Sequence, residues 1–297
     1  MYPRPFHYHR ASSLREAVTM LSQLGEDARF LAGGQSLIPL MKLRFSNPSH
    51  LVDLSFVPGA AYIKQERSAL HFGALTRHSE IENSATAAML PVLHDCAAGI
   101  ADVQVRNRGT IGGSLAEADP SGDWATVLLT QETELRCLGP SGERTVPLRG
   151  FITDAYTTVL GHDELIQEVI VRIPPPGSGG AYLAFKRSAP VYPTASVAVQ
   201  LTMDGGVCKD AVITLGCVGL TVVRSEGSEA ALRGHEIDDK AIAAAMEAAR
   251  AAADPQADMR GSVEYKRVLV AALLKRAIEI AMRRARGEQV EVSHIYA

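Results

Sequence analysis

The chain has 297 residues, a length that fits about two domains of ~150 residues each. Its 30 Lys and Arg residues against 33 Asp and Glu residues leave a formal net charge of −3, which argues against a broad nucleic-acid-binding surface because phosphate binding needs a basic excess. A composition of 46% hydrophobic and 21% charged residues is typical of a folded globular protein and excludes disorder of the whole chain.

The four cysteines are too scattered to suggest a metal site or a disulfide framework. No pair has CxxC spacing, so we expect reduced, partly buried thiols and no metal held by this chain. The first residues lack the apolar stretch of a signal peptide. No apolar run approaches the ~20 residues that cross a bilayer. These features predict a cytoplasmic protein with no membrane span.

Helix and strand patterns alternate through the first 173 residues, which predicts an α+β fold. The first helix begins with the capping-box spacing of Ser13 and Glu16, and its apolar residues fall on one face. The Ala-rich stretch 79–98 predicts helices interrupted near Pro91. Alternating or continuous apolar runs predict strands at 29–32, 51–54, 69–74, 135–138, 146–148 and 169–173.

A Pro- and Gly-rich stretch from Pro174 to Gly180 marks the predicted domain junction, because no hydrophobic periodicity crosses it. Beyond it, strands at 195–203 and 210–218 flank a turn at 204–206. From Asp238 the chain is Ala-rich and helical, and the last helix is predicted at about 264–286. We therefore divide the chain into domains 1–176 and 181–297, the second being a small antiparallel sheet followed by helices.

Two glycine-rich loops are the most informative feature, at 32–37 and 109–114. Adjacent glycines allow positive φ and close backbone approach, and successive peptide N–H groups can converge on an anion. Two such loops could enclose a diphosphate from both sides, although each alone could be a simple tight turn. Neither has the third glycine of the dinucleotide-binding GxGxxG pattern. Asp53 is therefore interpreted as a strand-end residue and not as a ribose ligand.

Three segments carry a resemblance to a known family. They are LAGGQSLIPLMKLR at 31–44, ALTRHSEI at 74–81, and RNRGTIGGS at 106–114 continued by ADPSGD at 118–123. Their order and spacing resemble those of the medium, flavin-carrying subunits of molybdenum hydroxylases, the relatives of carbon monoxide dehydrogenase and xanthine dehydrogenase. The resemblance covers nearly the whole chain. It implies a vanillyl-alcohol-oxidase-type (PCMH) FAD-binding domain in two lobes, followed by the C-terminal sheet-and-helix domain.

The resemblance assigns candidate cofactor contacts by position. Asp123 would accept hydrogen bonds from sugar or ribityl hydroxyls, with Asp119 as a rival for that role. The residues that would surround the FAD diphosphate, with the two leucines flanking the first loop, are Leu31, Ala32, Gly33, Gly34, Gln35, Ser36, Leu37, Thr110, Gly112, Gly113 and Ser114.

Further positions would contact the rest of the cofactor. Thr76 would approach the flavin end, and the Lys186 cation would stabilise negative charge gained by the flavin on reduction. Ile100 and Ile166 would supply apolar lining. Tyr192 lies in a segment, 188–193, that departs from the family's commoner sequence; it would either stack on the flavin or pack as a strand-end aromatic.

The function implied is electron relay by non-covalently bound FAD, since Gln35 and Ser114 stand where other FAD folds attach flavin through His or Cys. A large molybdopterin subunit and a small subunit with [2Fe–2S] clusters would complete a dimer of heterotrimers, and no residue of this chain would act as nucleophile or base. The alternatives are a stand-alone FAD-dependent oxidoreductase and a non-catalytic nucleotide-binding protein.

Two other features have structural interpretations. His71 and His78 lie in no metal-binding pattern, so we expect hydrogen-bonded structural histidines. The basic cluster from Arg283 to Arg286 favours a helix C-terminus or a subunit contact over a nucleic-acid patch.

Overall fold

The computed structural model describes residues 2–188 and 191–292. It contains three sheets of three, five and four strands, a two-stranded hairpin and ten α-helices within those residues. The first two sheets and their helices form the N-terminal part, and the four-stranded sheet with the last three helices forms the C-terminal part. The predicted α+β class, with two lobes before an antiparallel sheet-and-helix domain, is confirmed.

The first lobe is a parallel sheet of three short strands in the order β1-β3-β2. Helix α1 packs on it through Ala17, Val18 and Leu21, and the Ser13 hydroxyl accepts the Glu16 N–H at 3.1 Å, as the capping-box spacing predicts. The elements are β1 (His7–Arg10), α1 (Leu14–Leu24), β2 (Ala28–Leu31), α2 (Leu37–Leu43) and β3 (His50–Asp53).

The second lobe is an antiparallel sheet in the order β4-β5-β10-β6-β7, with helices covering one face. Helix α4 begins at Pro91, where the fixed φ of proline suits the first turn. The elements are β4 (Ile63–Glu66), β5 (Ala69–Gly73), α3 (His78–Glu82), α4 (Pro91–Gly99), α5 (Val103–Arg106), α6 (Ile111–Glu117), α7 (Asp123–Leu128), β6 (Thr133–Gly139), β7 (Gly142–Pro147), β8 (Ile152–Asp154), β9 (Thr157–Thr158) and β10 (Leu165–Arg172).

The C-terminal part is an antiparallel sheet in the order β11-β12-β13-β14, packed against helices. Tyr182 and Ala198 of this sheet belong to the same apolar cluster as Trp124, so the core continues from one part into the other. The elements are β11 (Ser178–Phe185), β12 (Ala195–Asp204), β13 (Val207–Gly216), β14 (Val223–Arg224), α8 (Glu226–Leu232), α9 (Asp239–Ala252) and α10 (Val263–Ala285). No helix of the described residues is long and apolar enough to cross a bilayer.

Two boundaries differ from the sequence-based expectation. The stretch predicted as a junction ends earlier, because Ser178 to Gly180 already belong to β11. Gly179 is needed there for close packing, since a Cβ at this position would lie 2.1 Å from the Ala281 carbonyl oxygen of α10. The strand predicted at 210–218 starts at Val207 and ends at Gly216.

Candidate functional site

The first glycine loop, 32–36, connects β2 to α2 and presents unpaired peptide groups. Gly34 has φ +72°, a left-handed conformation that glycine adopts without strain. Among the described residues, the N–H groups from Gly33 to Leu37 have no hydrogen-bond acceptor. The Ser36 hydroxyl does not cap α2 and adds another free donor. This loop therefore has the donor set that an anion requires.

The second glycine loop has the same composition but its peptide groups are already used. The N–H groups of Ile111 and Gly112 donate to the Thr76 and Ala74 carbonyls at 3.0 and 2.9 Å. Gly113 N–H donates to the Thr110 hydroxyl at 3.1 Å. Ser114 N–H donates to the Thr110 carbonyl at 3.0 Å, and residues 111–114 form the first turn of α6. The expectation of two loops that both offer free peptide N–H groups is therefore wrong for the second loop.

The two loops touch each other through their glycines. A Cβ at Gly33 would lie 2.3 Å from the Arg108 carbonyl oxygen, and a Cβ at Gly112 would lie 2.5 Å from the Ala74 Cβ. Ala32 lies beside Gly113 in turn. The glycines therefore permit the first loop, the second loop and the 74–76 segment to pack backbone against backbone.

Thr76 lies behind the second loop with its hydroxyl fully engaged. The hydroxyl donates to the Tyr62 carbonyl at 2.8 Å and accepts the Tyr62 N–H at 3.1 Å. Only 1% of the residue is exposed. Thr76 thus supports the loop from inside the lobe, and its hydroxyl is not available to a ligand.

His78 supports the second loop from another side. The Trp124 indole N–H donates to His78 Nδ1 at 3.0 Å, and a Cβ at Gly109 would lie 2.6 Å from His78 Nε2. Burial, with a smaller contribution from the Arg106 charge, lowers the pKa of His78 to about 3. The predicted structural role of this histidine is confirmed, and His71 likewise hydrogen-bonds Glu168 at 3.1 Å.

Asp123 and Lys186, assigned separately from the sequence, meet in a buried cluster. The Lys186 ammonium lies 3.6 Å from Asp123 Oδ1 and donates to the Gly99 carbonyl. The Tyr182 hydroxyl donates to the same Asp123 oxygen at 2.6 Å. Burial, reinforced by the Asp123 charge, raises the pKa of Tyr182 well above its ordinary value. Asp123 comes from the N-terminal part and the other two side chains from the C-terminal part, so this site spans both.

Asp119 and Tyr192 lie next to each other and, among the described residues, share no hydrogen bond or ion pair with the cluster of Asp123, Tyr182 and Lys186. Partial burial and the Asp119 carboxylate raise the pKa of Tyr192, whose residue remains 45% exposed. The Arg260 guanidinium lies 5.6 Å from the centre of the Tyr192 ring. Partial burial and Asp119 also raise the pKa of Glu117 to about 7. Tyr192 thus packs against charged groups on one side and offers part of its surface to solvent.

The remaining predicted contacts are apolar or lie at loop ends. Ile100 follows α4 directly and is 8% exposed, and Ile166 of β10 is 6% exposed. Leu31 and Leu37 are half-buried at the two ends of the first loop, where Gln35 is exposed. Asp53 ends β3 and accepts the Tyr8 hydroxyl at 2.6 Å, which confirms its interpretation as a strand-end residue.

Sequence reasoning missed two of the residues that shape the site. Tyr182 lies in β11, where the sequence predicts no strand, and nothing in the sequence shows that its hydroxyl reaches a carboxylate 59 residues away. Ala74 packs against Gly112, a contact that becomes visible only when β5 and α6 are adjacent. The family resemblance includes the segment 74–81 and assigns Thr76 to the flavin end, but it assigns no role to Ala74.

The residues present fit an FAD cofactor. The first loop supplies free N–H groups and neither loop segment, 32–36 or 110–114, contains a carboxylate that would repel a diphosphate. Among the described residues the Ser114 hydroxyl has no hydrogen-bond partner, so it adds a donor from the second loop. Buried Asp123 and Lys186 supply an acceptor and a donor for polar groups elsewhere on the cofactor.

Comparisons with known proteins identify the family of the chain. Residues 4–176 match the family model described as the FAD binding domain in molybdopterin dehydrogenase, and residues 180–281 match the CO dehydrogenase flavoprotein C-terminal domain. The chain is 40% identical to the carbon monoxide dehydrogenase medium chain of Hydrogenophaga pseudoflava, covering 96% of this chain and 99% of that one.

Other relatives differ in the substrate they are named for. The 6-hydroxypseudooxynicotine dehydrogenase complex subunit alpha of Paenarthrobacter nicotinovorans is 38% identical, over 99% of this chain and 100% of its own. A solved carbon monoxide dehydrogenase from Hydrogenophaga pseudoflava superposes with a TM-score of 0.93 over 96% of this chain and 99% of that chain, at 41% identity. Quinoline 2-oxidoreductase from Pseudomonas putida 86 superposes with a TM-score of 0.91 at 33% identity, covering 96% of this chain and 99% of that chain. The chain therefore belongs to the family of FAD-binding medium subunits of molybdenum-containing dehydrogenases, and it is an oxidoreductase subunit.

Proposed function

We propose that the chain is the FAD-carrying electron-transfer subunit of a heterotrimeric molybdenum hydroxylase. It takes electrons from [2Fe–2S] clusters on a small partner subunit and passes them to an external acceptor, while a large molybdopterin subunit hydroxylates the substrate. The assembly would be a dimer of heterotrimers. Support comes from relatives named as a medium chain and as a subunit of a dehydrogenase complex, which match this chain over nearly their full length.

The proposal rests mainly on the peptide N–H groups of the first loop, which have no acceptor in the described part of the chain, whereas most N–H groups around the loop have one. Five consecutive N–H groups, from Gly33 to Leu37, lack an acceptor within the described residues, although most peptide groups around them are paired. Buried or half-buried peptide groups are rarely left without a partner. A diphosphate at this loop would satisfy them, with the Ser36 and Ser114 hydroxyls as additional donors.

The chain's own residues would bind, orient and shield the cofactor. The first loop would hold the diphosphate, and Asp123 and Lys186 would bind polar groups further along the cofactor. Ile100 and Ile166 would exclude water from its apolar part, and Tyr192 would cover it from the solvent side. Bound FAD accepts electrons singly and releases one or two, which suits the junction between iron–sulfur clusters and an external acceptor. We propose residues 1–176 as the FAD-binding domain and residues 181–297 as the second domain, whose sheet extends back to Ser178.

The test is purification of the full chain with the subunits it assembles with, followed by rapid mixing with a substrate of the complex. We expect flavin absorption at about 450 nm that bleaches on mixing in the complete complex. Complexes lacking the small iron–sulfur subunit should not show this bleaching. Isolation of the chain as a flavin-loaded protein that oxidises a substrate unaided would instead support the stand-alone oxidoreductase. A complex without flavin would contradict both.

A further inference from the structure

Helix α4 is attached to the last helix of the chain by a buried ion pair. The Arg284 guanidinium of α10 donates to both carboxylate oxygens of Asp95, at 2.6 and 2.9 Å. The two side chains are only 6% and 1% exposed. A two-point contact of this kind fixes the orientation of both groups as well as their distance.

The same pair also fixes β11 at two points of its backbone. Arg284 donates to the Gly180 carbonyl at 2.8 Å, and Asp95 accepts the Tyr182 N–H at 3.2 Å. Tyr182 is the residue whose hydroxyl reaches Asp123, and Lys186 follows just after the end of the strand. The Arg284–Asp95 pair thus sets where β11 lies on α4, and β11 sets where these two side chains reach.

Helix α4 receives a second contact at its C-terminal end, one turn beyond Asp95. Lys186 donates to the Gly99 carbonyl, in the last residue of the helix and next to Ile100. The segment formed by β11 and Lys186 therefore has two polar contacts with helix α4. The Arg284–Asp95 pair makes one at the middle of the helix, and Lys186–Gly99 makes the other at its C-terminal end. A shift of the strand at the first contact must displace Lys186 at the second.

We propose that Arg284 is a positioning residue for the cofactor site: it holds β11 on α4 so that Tyr182 and Lys186 reach Asp123. This role rests on the proposed function, because it assumes that Asp123 and Lys186 contact FAD. Lysine cannot replace arginine here, since a single ammonium cannot donate to both Asp95 oxygens and the Gly180 carbonyl in a fixed planar arrangement.

The neighbouring arginine provides a matched control. Arg283 is exposed and pairs with Glu288 at 2.7 Å on the surface, where ion pairs contribute little. The basic cluster at the end of α10 thus contains one arginine with a buried side chain, Arg284, which links the two parts of the chain, and two exposed arginines, Arg283 and Arg286. Arg283→Lys and Arg284→Lys make the same chemical change one residue apart.

The experiment measures the FAD dissociation constant and the visible circular dichroism of the bound flavin in the assembled complex. We expect Arg284→Lys to weaken FAD binding by about tenfold and change the dichroism, and Arg283→Lys to change affinity by less than about twofold. If Arg284→Lys does not assemble, Asp95→Glu is measured in its place with the same expectation, because it retains the charge but moves the carboxylate.

A double substitution separates positioning from general destabilisation. If Arg284 acts through Tyr182, then Arg284→Lys combined with Tyr182→Phe should weaken FAD binding by no more than about twice the larger single effect, because coupled residues are not additive. Multiplication of the two effects, or an unchanged affinity in Arg284→Lys, would overturn the positioning role. A wild-type complex that lacks flavin would overturn the proposed function itself, and is distinguishable from these outcomes.

Discussion

The two glycine loops share a sequence pattern but differ in how their backbones are held. In the second loop, four consecutive N–H groups donate within the protein, to the 74–76 segment and to Thr110. In the first loop, the N–H groups from Gly33 to Leu37 have no acceptor among the described residues, and the loop rests on the second through Gly33. The second loop is therefore fixed by hydrogen bonds within its own lobe. The first loop is held mainly by its packing against the second loop.

This difference shows that similar glycine pairs can serve different physical purposes. The glycines of the second loop remove side chains so that it can pack on Ala74 and on the first loop. The glycines of the first loop leave peptide N–H groups free for a ligand. Gly34 has a positive φ, which allows the chain to turn at this point. Substitutions of glycines in the second loop should therefore affect both stability and FAD binding, whereas those in the first should affect mainly FAD binding.

The largest effect is expected from Gly112→Val. The new Cβ would lie 2.5 Å from the Ala74 Cβ and 2.7 Å from its carbonyl oxygen, so the hydrogen bond between these residues must break. We expect the free energy of unfolding to fall by about 3 kcal/mol and the complex to lose its FAD. Chemical denaturation and flavin content measure the two effects. Gly161→Ala is the control, because a Cβ there meets its neighbours at ordinary contact distances of 3.8 Å and beyond.

Gly33→Val should separate cofactor binding from stability. Its Cβ would lie 2.3 Å from the Arg108 carbonyl oxygen and would push the loops apart. We expect at least a tenfold loss of FAD affinity but a decrease of only about 1 kcal/mol in the unfolding free energy of the flavin-free protein, because few hydrogen bonds of the loop are lost. If Gly33→Val lowered the unfolding free energy as much as Gly112→Val, the two loops would contribute equally to stability, and the proposed difference between them would be wrong.

Acid should destabilise the support of the second loop through His78. Its pKa is about 3 in the folded protein and about 6.5 when unfolded, so between about pH 6.5 and pH 3 the unfolded state binds the proton and the folded state does not. The contribution of neutral, buried His78 to the free energy of unfolding is therefore fully present above pH 6.5. It is lost as the pH falls, by up to about 1.4 kcal/mol for each pH unit. Denaturation between pH 7 and 5 measures it. His78→Gln, which keeps an acceptor for the Trp124 indole, should have a shallower pH dependence.

The smallest effects should come from the two hydroxyl residues at the loop ends. Thr110→Ala removes the acceptor of the Gly113 N–H and should lower the unfolding free energy by about 1 kcal/mol, with little change in FAD affinity. Ser36→Ala removes no capping bond and should change stability by less than about 0.5 kcal/mol while weakening FAD binding severalfold. If Thr110→Ala weakened FAD binding and Ser36→Ala lowered stability instead, the assignment of the free donors to the first loop would be wrong.

The sequence predicted the fold well because its signals are local. The spacing of Ser13 and Glu16, the strand pattern of β12 and the turn that follows it each depend on neighbouring residues, and the structure contains the helix start, the strand and the turn. The turn lies at 205–206, and β12 is buried on both faces from 195 to 201 instead of alternating. The strand β11 was not predicted, and its first residues lie in the predicted linker because Gly179 packs on α10, about a hundred residues later in the chain. A glycine that indicates a linker by composition is there a requirement for packing.

The contacts that join the candidate site residues to one another were not predictable from the sequence. The family resemblance named Asp123 and Lys186 separately, and only the folded chain shows that they form one buried pair with Tyr182. It also suggested equal donor roles for both loops. The hydrogen bonds of the second loop depend on where β5 and α3 lie in space, which no pattern within the loop encodes.

The pairing of Asp95 with Arg284 has a consequence for the order of events during synthesis. The arginine follows the aspartate by 189 residues, so at ~5–20 residues per second a ribosome delivers it roughly 10 to 40 seconds later. Until then the N-terminal lobes and β11 can form, but the Asp95 carboxylate of α4 lacks its arginine partner. We therefore expect β11 to take its final place on α4, and Tyr182 and Lys186 to reach Asp123, only after the last helix has been synthesised.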